Sequence, residues 1–249
     1  FDGSSNFDRG HRWGKFPSVA AGWVVTNESF MESLTGWLNF LKLRASWGQN
    51  GNQDIQKFVY LSSISLEGQN YFFGPDHSII TVGSTPARVP NPNVSWETSE
   101  QTNIGFDMNV LNNKFQFSFD WYKKDTKDWL IKKISSAMDG TEPPIVNGGL
   151  IRNTGWETVL RWNGQTGSLK YNVTGTLAYN KNKVIEVPSS DSIFHGPANV
   201  LSQGTTEMFR AEAGFPIGYF WGYETDGVLQ NDADVAAWIR PDNGQPYFR

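Results

Sequence analysis

The stretch QTNIGFDMNVLNNKFQFSFDWYKKDTKDW, Gln101 to Trp129, alternates apolar and polar residues twice, with one break between. Ile104, Phe106, Met108 and Val110 alternate with Asn103, Gly105, Asp107 and Asn109. After Leu111-Asn112-Asn113 the pattern resumes in antiphase, with Phe115, Phe117, Phe119 and Trp121 against Lys114, Gln116, Ser118 and Asp120. Period two gives each strand one apolar and one polar face. The Asn pair is turn chemistry, because Asn tolerates the left-handed backbone of a tight hairpin turn. Each arm of about ten residues, at ~3.3 Å per residue and a tilt near 45°, climbs about 23 Å. That height is close to the ~25 Å apolar band of a transmembrane barrel. A soluble sandwich strand alternates too, so the hairpin alone leaves both architectures open.

Composition narrows the field. The 249 residues suffice for one large β domain or two small ones. Mean hydropathy is -0.46, and no apolar run approaches the ~18 residues of a membrane helix. A membrane barrel survives this test, because half of every strand is polar. Aromatic residues make up 14%, including 11 Trp and 17 Phe, which fits an interfacial girdle or a carbohydrate-binding surface. A formal charge of -4 without a basic run argues against a nucleic-acid partner. Cysteine is absent, so disulfides and Cys-ligated metal are excluded. Phe1-Asp2-Gly3 and Gln245-Pro246-Tyr247-Phe248-Arg249 do not resemble natural termini, and the chain is expected to be a piece of a longer protein.

Further strands are expected at Phe16–Val25, Phe40–Gly48, Leu150–Trp162 and Leu169–Asn180, with Met208–Ala213 and Ile217–Leu229 as strands joined by the turn Gly214-Phe215-Pro216. Helical turns are expected within 26–38, and a short helix over Asp232–Trp238 capped by Asn231 or Asp232. Phe58–Ile64 and Tyr71-Phe72-Phe73 are short strand candidates inside a long connection. Links near 26–37, 111–113, 163–168 and 214–216 are short or moderate, whereas those near 49–95, 124–149 and 182–204 are long. Short and long links alternate. Membrane barrels sort their loops this way, and a soluble sandwich has no physical reason to.

Several phrases, in order, resemble the SusC/RagA-like TonB-dependent transporters of the Bacteroidetes outer membrane. They are Phe1-Asp2-Gly3-Ser4-Ser5, Phe16-Pro17-Ser18-Val19 with Gly22-Trp23, and the run from Leu41 to Asn52. Then come Asn91-Pro92-Asn93, Trp96-Glu97-Thr98 with Glu100-Gln101, and Asn103-Ile104-Gly105-Phe106-Asp107. Last are Asn147-Gly148-Gly149, Asn153-Thr154-Gly155-Trp156-Glu157, and Pro216 to Tyr223 with Asp226-Gly227. The resemblance implies an all-β fold: residues 1–249 as a partial, antiparallel transmembrane β-barrel wall, about eight main strands of a roughly 22-stranded barrel. It implies a plug domain, a TonB-contacting segment and C-terminal closing strands outside this stretch. It also implies uptake of glycan oligomers or peptides, a SusD-like surface lipoprotein, the TonB complex, contact with outer-membrane lipid, and no enzymatic activity. The alternative is a soluble β-sandwich that binds carbohydrate.

No catalytic, metal or cofactor site is expected. His11, His77 and His195 lack paired ligand spacing. Glu97 and Glu100, beside Trp96, stand three apart, which puts them on opposite faces of a strand and not across one glycosidic bond. The substrate candidates are the loop aromatics Tyr71, Phe72, Phe73 and Trp129, which would stack on a sugar or peptide or else pack their own loops or a lid. Trp23, Trp47, Trp156, Trp162, Tyr171 and Tyr179 are expected in the girdle or on the lipid face.

Overall fold

In the computed structural model, the central hairpin and the segments Phe16–Val25, Phe40–Gly48, Leu150–Trp162 and Leu169–Asn180 become strands of one sheet. The structure describes all residues except 35, 67, 69, 134–139, 190–191, 201, 223, 225–227, 229, 238–249 and the side chains of 235–237. The strands are β1 (Ser18–Val24), β2 (Leu38–Asn52), β3 (Glu97–Val110), β4 (Phe115–Lys127), β5 (Leu150–Thr166) and β6 (Leu169–Glu186). Their order is β6-β5-β4-β3-β2-β1, every pair is antiparallel, and β1 and β6 are left as edges. The sheet is an up-and-down meander that does not close.

The β3–β4 hairpin turns at Leu111, Asn112 and Asn113, with φ of 56°, 56° and 62°. The two asparagines fit that conformation; Leu111 adopts it despite its branched side chain, held by its N–H donating to the Trp37 carbonyl at 2.9 Å. The β5–β6 turn uses Gly167 at φ 59°, where a Cβ would be strained. Between β1 and β2, residues 25–37 contain the 3₁₀ turns Val25–Asn27 and Ser29–Leu34. Val25 and Met31 from these turns pack on Leu38 and Val110.

Among the described residues six strands, not about eight, build the wall. Met208–Ala213 and Ile217–Leu229 are realised only as Phe209–Glu212 and Tyr219–Phe220, which join Ile193–His195 in a separate three-stranded sheet. The reason lies in their pattern. Ile217-Gly218-Tyr219-Phe220-Trp221-Gly222 is a glycine-broken aromatic run rather than an alternation, and Gly214 and Gly218 both take positive φ. The expected extension to Leu229 enters residues outside the described ones. Phe58–Ile64 yields only the strand Ile64–Ser65, while Tyr71-Phe72-Phe73 belongs to Asn70–Phe73, paired with Ile79–Val82. The short helix is Asp232–Ala237, with Asn231 Oδ1 accepting the Asp234 N–H at 3.0 Å; Trp238 lies outside the described residues.

Cross-strand partners share a face, so the register sorts the residues. Trp23, Leu43, Phe106, Phe119 and Leu177 lie on one face together with Leu41, Met108, Phe117 and Leu160. The other carries Arg44, Ser46, Asn103, Asp107, Ser118, Asp120, Asn153 and Asn180. The apolar face is bare: Leu177 is 61% exposed, Ile104 55% and Tyr179 53%. The clusters of buried residues sit elsewhere, at the strand ends and in the loops.

The apolar band also crosses the strands obliquely. Trp47 on β2 shares a ladder row with Lys181, two residues past the last outward ring of β6, Tyr179. At the opposite margin Leu41 shares a row with Gly175, six residues past Leu169, the first outward residue of β6. A mean drift of about four residues, or ~13 Å, over ~19 Å of sheet width corresponds to strands inclined by roughly 35°. That inclination falls in the range of membrane barrels.

Gly105 lies in the ladder between Arg44 and Asp120, and its missing side chain lets the guanidinium cross a strand. A Cβ there would come 2.3 Å from Asp120 Oδ1 and 2.6 Å from the Phe119 carbonyl. Gly105→Val in the full-length protein is expected to cost about 1–3 kcal/mol, measured as a lower denaturant midpoint. Gly175→Val, where a Cβ meets nothing within 4 Å, is expected to be close to neutral.

Candidate functional site

The polar face is organised around Arg44. Its guanidinium donates to Asp107 at 2.8 and 3.1 Å and to Asp120 at 2.9 Å, so one side chain ties β2, β3 and β4 together. Ser118 Oγ donates to Asp107 at 2.7 Å. About a third of each of these ionic side chains stays exposed, which suits a water-filled lumen rather than a dry core. Sequence reading put Asp107, Ser118 and Asp120 on the polar faces of their strands but did not join them to Arg44, since three charges on three strands meet only once the register is known. On the opposite face the rings form a cross-strand ladder: Phe106 to Phe117 at 5.4 Å, Phe119 to Trp156 at 6.4 Å, and Trp156 to Tyr179 at 6.3 Å.

A soluble sandwich needs a second sheet over those rings. Among the described residues none covers them.

The links sort by end, as antiparallel parity requires. Residues 25–37, 111–114 and 167–168 join strands at one end; the connections between β2 and β3 and between β4 and β5 start and finish at the other, where β6 also ends at Glu186. The long-loop end forms a rim with its own small core of Phe7, Val59 and Val94, flanked by Trp96, Leu130 and Ile145. Several of the quoted phrases, those around Asn91, Trp96 and Asn147, turn out to be fasteners of this rim. Trp96 packs on Phe7 at 5.3 Å and Phe16 at 5.4 Å, and its indole donates to the Arg12 carbonyl at 3.2 Å. Asn147 exchanges two hydrogen bonds with Ser95, and Asn91 Nδ2 donates to the Ile145 carbonyl at 2.8 Å. Glu97 accepts from Asn52 and the Leu130 N–H, while Glu100 accepts from Lys127 and Gln49. Both carboxylates are therefore occupied in structure.

The structure does not gather the four substrate candidates. Tyr71 and Phe73 stack at 6.4 Å on the Asn70–Val82 hairpin, with Tyr71, Phe72 and Phe73 all more than half exposed. Trp129 instead packs on Phe194, at 6.3 Å, in another loop.

A second polar cluster, missed in the sequence because its members are scattered from His195 to Trp221 without a motif, holds the three-stranded sheet. Glu207 is buried; His195 Nδ1 lies 2.8 Å from its carboxylate, and Arg210 donates to it as well. The Arg210 guanidinium lies 3.6 Å over the Trp221 ring. These groups, with Thr206 and Glu224, line a cleft of about 750 Å³. Burial pushes the Glu207 carboxyl up, but hydrogen bonds from His195 and Arg210 outweigh it and hold it below its ordinary value.

A tilted, open meander with a bare apolar face, a wet ionic face and all long loops at one end defines a section of outer-membrane-type β-barrel wall. The family described as TonB dependent receptor-like, beta-barrel matches residues 1–242, and the chain belongs to it. It is 32% identical over 235 residues to TonB-dependent receptor P3 of Formosa agariphila, covering 92% of this chain and 22% of that protein. It is 29% identical over 236 residues to TonB-dependent receptor SusC of Bacteroides thetaiotaomicron, covering 90% of this chain and 23% of that protein. The chain thus spans under a quarter of the length of these relatives. They are TonB-dependent receptors, which are not enzymes. The fold is similar to the RagAB peptide importer in the 'closed-closed' state, with TM-score 0.74 and 23% identity over 88% of this chain and 22% of that one.

The Glu207 cluster makes the loop sheet acid-sensitive. Because the folded carboxyl titrates below its unfolded value, its contribution is complete above the ordinary carboxylate range and is lost as pH falls through the depressed value. Pepsin cleavage within 187–222 of the full-length protein is therefore expected to rise steeply at the acid end. Glu207→Gln should flatten that rise.

Proposed function

We propose that this chain is a stretch of the barrel wall of an outer-membrane TonB-dependent importer of glycan oligomers or peptides. Residues 1–249 form a partial barrel domain in this reading. The plug, the segment that meets the inner-membrane TonB complex and the C-terminal closing strands belong to other parts of the same protein. A SusD-like surface lipoprotein closes over the long-loop rim, which faces the cell exterior. The observation that carries the proposal is the two-faced sheet: rings exposed on one side, the Arg44–Asp107–Asp120 network wetted on the other. In water the ring face is unfavourable at roughly 25 cal/mol per Å², whereas in hydrocarbon it is at home. At the rim, Tyr71, Phe72 and Phe73 stand free for lipoprotein or substrate to cover, while Trp129 is occupied by Phe194.

Spin labels at 117 and 118 in the membrane-inserted full-length protein test the faces. A membrane-dissolved relaxant is expected to act on 117 and spare 118; the reverse pattern overturns the assignment. Phe117→Arg should cost roughly 2–4 kcal/mol if it lies near the midplane, and Ser118→Arg should be mild. Removing the loop tip at Pro143-Pro144 tests the rim. Uptake or lid docking should fall while the barrel still inserts, because few ladder hydrogen bonds are lost.

A further inference from the structure

Beyond Tyr179 the outer face changes character within one ladder row. Lys123 and Lys181 flank Thr154 in the next row, and Asp125, Arg152 and Lys183 make up the row after that. Asp125 is already engaged: Arg152 donates to it at 2.7 and 2.8 Å, and Lys123 Nζ lies 3.5 Å away. Glu100, in the same row as Asp125, is held by Lys127 at 2.9 Å. Lys181 and Lys183 are exposed, and among the described residues no carboxylate pairs with either. Glu186, opposite Leu150 past a register shift, is the next outward position beyond Lys183 and is exposed, so these rows carry five cations, Lys123, Lys127, Arg152, Lys181 and Lys183, against three carboxylates, Asp125, Glu100 and Glu186.

The charge therefore runs to a positive surplus at one place, the β5–β6 side, directly past the stacked Trp156 and Tyr179. Rings of this kind mark the boundary between hydrocarbon and headgroups. Two and four residues along an inclined strand place Lys181 and Lys183 roughly 5–10 Å beyond it, at headgroup depth. Lysines at that depth lay their stems on the apolar surface and extend the ammonium outward.

Resting on the barrel-wall reading, we propose that Lys181 and Lys183, with Arg152 beside them, bind the phosphate of an anionic lipid headgroup in the leaflet nearer the long loops. The occupant is a lipid and not a soluble anion, because the basic rows continue the lipid-facing surface and lie away from the lumen. Such contacts are charge-assisted, and the two free ammonium groups sit one above the other on β6 to share a single headgroup.

The test uses the full-length protein in phosphatidylcholine nanodiscs carrying a minor fraction of phosphatidylglycerol, with a fluorophore on Leu177→Cys. Nitroxide-labelled phosphatidylglycerol is expected to quench at a mole fraction roughly tenfold lower than nitroxide-labelled phosphatidylcholine. Lys181→Gln with Lys183→Gln should make the two lipids equal, and Lys170→Gln, on the lumen face at the other end, should leave the preference intact. Equal quenching in the unaltered protein, or a preference that survives the double change, overturns the proposal. Loss of the preference on adding inorganic phosphate would overturn the lipid as occupant. If neither labelled lipid quenches, position 177 does not face the bilayer, and the barrel-wall reading itself fails. A shift of the heat-modified gel band confirms that each variant is folded.

Discussion

In hydrocarbon, a backbone N–H or C=O without a partner costs several kcal/mol, and that penalty governs this structure. It explains why the apolar faces occur on strands paired in continuous register, with shifts only at the strand ends between Leu38/Phe40 and Leu150/Ile151, and why the irregular segments gather at the ends. The ladder from β1 to β6 pairs each strand with its sequence neighbours, so no connection has to cross the apolar band. The two edges, β1 and β6, are the positions where the same rule demands further strands.

Within that frame the lumen face has freedom the lipid face lacks. Arg44 reaches two carboxylates on two other strands, but each pair is partly hydrated and adds little stability on its own. What the network contributes is alignment: it is satisfied in one register of three strands. Gly105 belongs to the same device, since an added Cβ would crowd the Asp120 carboxylate that receives the guanidinium. Gly155 plays the same part for Tyr122, whose hydroxyl would lie 2.7 Å from an added Cβ.

The alternation was readable because one face of each strand must be apolar over a fixed height. Strand identity, face assignment and the sorting of long links all come from that single requirement. Where it lapses, reading fails. β4 runs on through Lys123, Lys124 and Asp125, beyond the apolar band, and its charged end carries no periodic signal. The aromatic run after Pro216 imitated a strand in composition but not in period, and it forms only Tyr219–Phe220. Arg44, Asp107 and Asp120 were visible singly; their meeting depends on register, which pairwise spacing does not encode. Trp96, Asn91 and Asn147 stood out as phrases, yet their role in fastening the rim lies in contacts between distant loops.

The turn at Leu111-Asn112-Asn113 decides more than the direction of the chain. Three consecutive left-handed residues admit one pairing of the arms, and a slip of one position would exchange Phe117 for Ser118 and every other residue with its opposite. A chain still in the aqueous compartment, with no bilayer to sort its side chains, therefore commits its wet and oily flanks when this corner closes. The choice of face along both arms is thus set by three residues at a corner that belong to neither face.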